Sequence, residues 1–226
     1  MNIGIIGAMK EEIEPLLEYY KEYEKIFVGK SIFYKIKKNN KTIFIVQSKI
    51  GKTFAAMTTT LLIDKFNCEH ILFTGVAGGV DEDIEIGDIV LADKLVSHDF
   101  DITHFGHKKG HVPDFGIYSN SCDKLLNKAK LICDELKIKT HVGTIATGDI
   151  FINSYELKEE IKNEFNAKAI EMEGAAVGQI CQSFNVPFLI IRSISDKASG
   201  EANLDFKKFV EIAAKNSSNI IIEMLK

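Results

Sequence analysis

The 226 residues are 46% apolar and 27% charged, with four cysteines and a formal net charge of −4. These are ordinary globular values, and a chain of this length buries a sizeable core without disulfide or metal staples. The mildly acidic balance excludes the basic footprint of a nucleic-acid or anionic-membrane binder.

The opening MNIGIIG reads as a short buried strand running into the acidic helix start KEEIEPLLEYY. Its apolar run, Ile5 and Ile6 between glycines, is too short for a signal-peptide core or a membrane span, and no basic segment precedes it. A cytoplasmic, unprocessed protein is the expectation. Residues 25–48 alternate apolar and polar, with Asn39-Asn40 as a turn, which predicts antiparallel hairpin structure. A helix over Thr53 to Phe66 follows, then the strands ILFTGVAGG and GDIVLADKLVSHD.

Residues 100–118 hold glycines, aromatics and three histidines without periodicity. A loop of that length is functional or covers a partner. Beyond it the pattern predicts a helix near 119–136, the strand HVGTIATGD, a helix around 155–164, the strand AKAIEM, the small-residue helix GAAVGQICQSF and the strand PFLIIRSIS. An amphipathic helix from Phe206 to Leu225 closes the chain. Alternating strands and helices with an antiparallel portion predict one α/β domain over residues 1–226. Its core is a mixed, largely parallel central sheet with helices on both faces. Cys68, Cys122, Cys133 and Cys181 are widely spaced, without metal-ligand spacing, and read as free thiols.

Several segments deliver chemistry to strand ends, where α/β proteins bind small ligands. GIIGAMKEE is not a dinucleotide fingerprint, since its glycines are three apart. Glu12 there either favours the helix dipole or faces the strand edge as a catalytic acid or base. TGVAGGV lacks the Lys-Ser/Thr ending of a phosphate loop. It reads as a tight turn needing positive φ, or as a close approach of backbone to ligand. Phe151 in ATGDIFIN is either core or an aromatic stacked on a flat heterocycle. In EMEGAAV, Glu171 and Glu173 share one face if extended, and like charges there repel unless something neutralises them. Two readings stay open: one of the pair accepts hydrogen bonds from ribose hydroxyls, or one caps the next helix and the other is solvated. Asp196, ending the last strand, is a helix N-cap or a proton donor to a ring nitrogen. Carboxylates with few cations nearby suit a polyhydroxylated, nitrogen-bearing substrate better than a phosphate.

Taken in order, GIIGAMKEE, SKIGK, TGVAGG, GDIVLAD, HDFDITHFGH, ATGDIFIN, AIEMEGAAV, NVPFLIIRSISDKA and LDF resemble the bacterial 5′-methylthioadenosine/S-adenosylhomocysteine nucleosidases. These belong to the nucleoside phosphorylase superfamily. The resemblance runs from residue 2 to the last helix. It implies a nucleoside phosphorylase-like fold and hydrolysis of methylthioadenosine and adenosylhomocysteine, with 5′-deoxyadenosine as a further substrate, to adenine and the thioribose. It implies that Glu12 activates water, Asp196 protonates adenine N7, and Glu173 holds the ribose hydroxyls with Met172 beside the sugar. Phe151 would stack on adenine, the Ile152 backbone would read the purine edge, and Ser195 would bind beside Asp196. Ala77 and Gly78 would wall the sugar and base, with Met9, Ile50 and Phe206 around the 5′-thio group. Ile102, Phe105 and Pro113 would enter from the neighbouring subunit of a homodimer. No metal or other cofactor is implied. Two positions depart from the family pattern: His107 replaces an aromatic phenol of some relatives, and Val76 replaces a serine.

Composition adds an argument about the nucleophile. Phosphorylases of this fold hold phosphate with arginines, whose planar fork suits a dianion. Arg192 is the only arginine in the chain, so a multi-arginine clamp cannot form. Hydrolysis is the expectation, with 6-amino-6-deoxyfutalosine nucleosidase activity as an alternative substrate reading. A purine or uridine phosphorylase and a non-catalytic nucleoside-binding module are further alternatives.

Overall fold

The computed structural model describes residues 1–198 and 202–226. Ten strands and six α-helices alternate along it. The strands are β1 (Asn2–Gly7), β2 (Glu24–Val28), β3 (Ser31–Lys38), β4 (Lys41–Gln47), β5 (His70–Gly79), β6 (Ile89–Ser97), β7 (Ser119–Asn120), β8 (Thr140–Thr147), β9 (Ala167–Glu171) and β10 (Phe188–Asp196). The helices are α1 (Lys10–Tyr20), α2 (Lys52–Thr60), α3 (Asp123–Glu135), α4 (Tyr155–Phe165), α5 (Gly174–Ser183) and α6 (Ala202–Leu225). A single π-turn, Leu61–Lys65, extends α2.

Every expected strand forms, but the sheet is evenly mixed rather than largely parallel, with five parallel and five antiparallel pairings among the described residues. It also closes on itself, which the strand pattern did not predict. Order along the sheet is β10-β6-β8-β9-β5, and β10 pairs back onto β5, so these five strands make a ring. Pairing β10 to β5, β6 to β8 and β8 to β9 is parallel, whereas β10 to β6 and β5 to β9 are antiparallel. Four more strands extend from β5 as β1-β4-β3-β2, ending in an antiparallel meander, and the short β7 pairs with β6. Its β3–β4 turn carries Asn39 and Asn40 at φ 48° and 60°, the left-handed pair a two-residue hairpin requires.

Period-two alternation sorts the core onto two faces. Ile6, Phe73, Phe188 and Ile190 pack on one side with Ala55 of α2 and Ala175 and Val177 of α5. Ile3, Ile5, Leu72, Leu189 and Ile191 pack on the other with Leu16 of α1, Ala129 of α3 and Ile220 of α6. Strands covered on both faces read as near-continuous apolar runs, and all nine residues of β10 are buried.

Closure matters for the site because it brings together ends of oppositely directed strands. Strand β9 crosses β5 over only two pairs, Gly78 with Ile170 and Gly79 with Ala169. The carboxyl ends of β5 and β9 therefore meet. A bulge between Ile194 and Asp196 then sets Asp196 opposite Gly78. Bulges re-aim a side chain at the end of a ladder, and this one turns the last strand's acid toward the same point.

Candidate active site

One cleft lies where these ends meet. It is walled by Ala8, Met9 and Glu12 after β1, Ile50 after β4, and Val76, Ala77 and Gly78 on β5. Phe151 after β8, Ile170 to Glu173 at the end of β9, Ser195 and Asp196 of β10, and Phe206 of α6 complete it. The cavity has a volume of about 100 Å³ and opens to solvent at its mouth.

Glu12 is 1% exposed and accepts three backbone N–H groups. Its Oε2 takes Ala8 N at 2.6 Å and Met9 N at 3.0 Å, and its Oε1 takes Val76 N at 3.0 Å. Burial pushes its pKa up, against the pull of Arg192 and these amides. Val76 thus contributes its main chain, so the missing serine hydroxyl leaves the Glu12 contact at that turn intact.

Asp196 is also buried. Ser195 Oγ donates to its Oδ2 at 2.9 Å and Ala198 N to its Oδ1 at 2.9 Å. Burial raises its pKa, the two donors oppose that, and Asp205 adds to it. A raised pKa is what a carboxylic acid needs to carry a proton near neutral pH.

The two glutamates of the EMEG segment part company. Glu171 caps α5: its carboxyl accepts Glu173 N at 3.0 Å and Gly174 N at 2.8 Å, and Thr147 Oγ1 donates to it. Glu173 turns to the cleft, held by Gly51 N at 2.8 Å, and burial next to Glu171 raises its pKa. The capping reading is met by Glu171, but the other member of the pair is not solvated, since Glu173 is 4% exposed.

Arg192 corrects the expectation of carboxylates with few cations nearby. Fully buried on β10, it donates through Nη2 to Glu171 and, at 3.3 Å, to Glu173 Oε2. Its Nη1 lies 4.0 Å from Glu12 Oε1, and the guanidinium stacks 4.3 Å from the Phe73 ring centroid. One guanidinium therefore bridges the paired acids. Nε and Nη1 have no hydrogen-bond partner among the described residues. Sequence reasoning used this residue only as a count. The signal was its place in FLIIRSISD, since an arginine in a buried strand must meet carboxylates.

The glycines of TGVAGG are also corrected, since Gly75, Gly78 and Gly79 lie within β5 and none has a positive φ. Close approach is their purpose. A Cβ on Gly75 would sit 1.9 Å from Arg192 Nη1 and 2.6 Å from Glu12 Oε1. Gly75→Ala is therefore expected to displace the arginine, lower stability by about 1–3 kcal/mol and disable the site. Urea denaturation beside an activity assay checks this, and a wild-type midpoint would show that the notch is not needed.

Of the expected site residues, Glu12, Asp196, Glu173, Met9, Ile50, Ala77, Gly78, Phe151, Met172, Ser195 and Phe206 line the cleft. Phe151 and Phe206 meet edge to face at 6.0 Å. Ile152 does not line it: its side chain is buried with Val96, Ala146 and Phe165. Ile102, Phe105 and Pro113 lie on the 100–118 loop and do not line the cleft of their own chain. Phe105 is 77% exposed, and His107 stacks on His111 at 4.8 Å. Ala8, Val76, Ile170 and Glu171 complete the wall without having been expected there. Among the described residues no group of His, Cys, Asp and Glu is arranged to hold a metal ion, and no helix is long and apolar enough to cross a membrane.

The pattern of the Phosphorylase superfamily matches residues 2–226. The chain belongs to the phosphorylase superfamily. Within it, the chain is 45% identical over 224 residues to the aminodeoxyfutalosine nucleosidase of Campylobacter jejuni, covering 99% of this chain and 98% of that one. It is 40% identical over 225 residues to the 5′-methylthioadenosine/S-adenosylhomocysteine nucleosidase of Staphylococcus haemolyticus, covering 99% of each. A crystal structure of the Helicobacter pylori 5′-methylthioadenosine/S-adenosylhomocysteine nucleosidase, complexed with an aminopyrrolopyrimidine-bearing pyrrolidinol, superposes with a TM-score of 0.98 at 42% identity. That match covers 100% of this chain and 97% of the other. These relatives are nucleosidases, hydrolases of N-glycosyl bonds.

Proposed function

We propose that the protein hydrolyses the N-glycosidic bond of 5′-methylthioadenosine and S-adenosylhomocysteine, and of 5′-deoxyadenosine, releasing adenine and the 5-substituted ribose. The observation that carries this reading is that Glu12 and Asp196, from opposite ends of the chain, wall one cleft. Breaking a ribosyl C–N bond leaves positive charge on the sugar and an electron pair on the base. Asp196, its pKa raised, donates a proton to adenine N7, so the base departs neutral. Glu12 takes a proton from water, whose oxygen bonds to C1′, and the surrounding carboxyls favour the cationic sugar. Glu173 and Met172 hold the ribose, while Phe151 stacks on the base and the Ile152 backbone reads its edge. Ala77, Gly78 and Ser195 close around sugar and base, with Met9, Ile50 and Phe206 around the 5′ substituent.

Water rather than phosphate is the nucleophile. The sole arginine is sealed inside the protein against three carboxyls, so it is not free to clamp a dianion. Glu12 beside the nucleophile position repels phosphate further. Adenine release from methylthioadenosine, followed by ultraviolet absorbance, is expected to proceed at the same rate with and without phosphate. A phosphate requirement with a ribose-1-phosphate product would overturn the assignment.

The Campylobacter relative favours a second substrate for the same chemistry, 6-amino-6-deoxyfutalosine, since both nucleosides present adenine and ribose and differ at the 5′ arm. Comparing the two substrates in the same assay decides between them. We further infer one domain over residues 1–226, a cytoplasmic enzyme of methionine salvage, and a homodimer in which Ile102, Phe105 and Pro113 complete the partner's 5′ pocket. The exposure of Phe105 supports that last reading, and sedimentation velocity tests it.

A further inference from the structure

Outside the cleft wall, three charged residues tie together the segments that present its parts. Lys52 Nζ lies 2.6 Å from Asp99 Oδ1, with both side chains less than a quarter exposed. The other oxygen of Asp99 accepts Asp149 N at 2.9 Å. Asp149 in turn accepts Lys52 N through Oδ1 at 2.8 Å. The three residues come from the start of α2, the end of β6 and the loop after β8, and they close a loop of contacts.

What the ring holds is specific. Helix α2 has no side-chain cap of its own, and its first two amides are taken by acids from elsewhere: Gly51 N by Glu173, Lys52 N by Asp149. Gly51 has φ 102°, and a Cβ there would sit 3.1 Å from Asp149 Oδ1. The Gly51 amide that orients Glu173 is therefore fixed by the same turn that Asp149 and Lys52 fasten. Asp149 lies two residues before Phe151 in the same loop, so the hydrogen bond its N–H donates to Asp99 also sets the Phe151 edge of the cleft. Burial pulls the Asp99 pKa up, but Lys52 and the Asp149 amide hold it below the ordinary carboxylate range, so the clasp is charged at neutral pH.

We propose that Lys52, Asp99 and Asp149 are positioning residues that set Glu173 and Phe151 at a fixed separation, so that the sugar and base subsites are assembled as one unit. None of the three lines the cleft, and none exchanges a proton with the substrate. Their loss is therefore expected in nucleoside binding rather than in bond breaking. The inference rests on the assignment of the cleft to an adenine nucleoside.

The test is steady-state kinetics of adenine release for the wild type, Asp99→Ala, Asp99→Asn, Lys52→Met and Lys52→Arg, with circular dichroism melting of each. Asp99→Ala and Lys52→Met are expected to raise KM about tenfold with kcat within about threefold of wild type, the signature of lost ground-state binding. Lys52→Arg keeps the charge and is expected to restore KM. Pairing Lys52→Met with Asp99→Asn is expected to be less than additive, because one contact is removed twice. If Asp99→Ala does not fold, the near-isosteric Asp99→Asn carries the test, with a KM rise of about threefold. An unchanged KM in folded variants, or kcat falling with KM constant, would overturn the positioning role. A wild type that releases no adenine would instead overturn the substrate assignment, leaving the two failures distinct.

Discussion

Asp196→Asn is expected to lower kcat for adenine release by about 10²–10⁴-fold, the usual worth of a positioned general acid, while raising thermal stability at neutral pH. The two effects share one cause. Asp196 is buried with two neutral donors and, among the described residues, no cation bonded to it, so its folded pKa lies above the unfolded value. Above the unfolded pKa the folded state holds the proton longer than the unfolded chain does. Stability then falls as pH rises from the ordinary carboxyl range through the raised value. Asparagine removes that penalty and fits the same contacts. Its carbonyl accepts Ala198 N, and its amide donates to Ser195 Oγ, whose hydroxyl turns to the Ala77 carbonyl 3.4 Å away. Calorimetry of wild type and variant across acid to neutral pH should show the stability gap widening as pH rises. The alkaline limb of the wild-type rate profile, set by loss of the Asp196 proton, should be absent from the variant's residual activity. A variant with wild-type kcat would end the general-acid assignment.

The cleft carboxyls were legible as edge residues, because Glu12, Glu173 and Asp196 lie at or within a few residues of the ends of apolar strands, whereas the roles proposed for them came through resemblance. Phe151 and Met172 were legible through resemblance, since a loop aromatic and a methionine carry no period of their own. Ring closure was not legible. It depends on a two-pair crossing of β9 and β5 and on the return of β10, and no local periodicity encodes contacts so short and so distant. The bulge that aims Asp196 is equally silent, because Ser195 looks like any other strand residue. Arg192 was half legible. Its solitude excluded a multi-arginine phosphate clamp, but its pairing with Glu171 and Glu173 needed the observation that β10 is buried throughout.

Glu12→Gln should be the more damaging of two chemically equivalent substitutions, losing catalysis and stability together. As the base, Glu12 must be ionised, so activity is expected to fall as pH drops through its raised pKa. Glutamine cannot take the proton at any pH, and kcat is expected to fall by about 10²–10⁴-fold. The stability effect follows from the contacts. Three N–H donors converge on the Glu12 carboxylate, and Arg192 Nη1 faces the same oxygen as Val76 N. Glutamine offers one acceptor oxygen and turns an amide donor toward amide donors, leaving at least one buried N–H unsatisfied at about 1–3 kcal/mol. Desolvation alone would make the neutral side chain more stable, as at Asp196, so the two terms oppose each other. The geometric term prevails because Asp196 meets a reversible hydroxyl, whereas Glu12 meets only fixed donors. Denaturant midpoints of both variants at one pH should therefore move in opposite directions. If both rise, burial outweighs the amide cradle, and Glu12 is held neutral in the folded protein and is not the resting base.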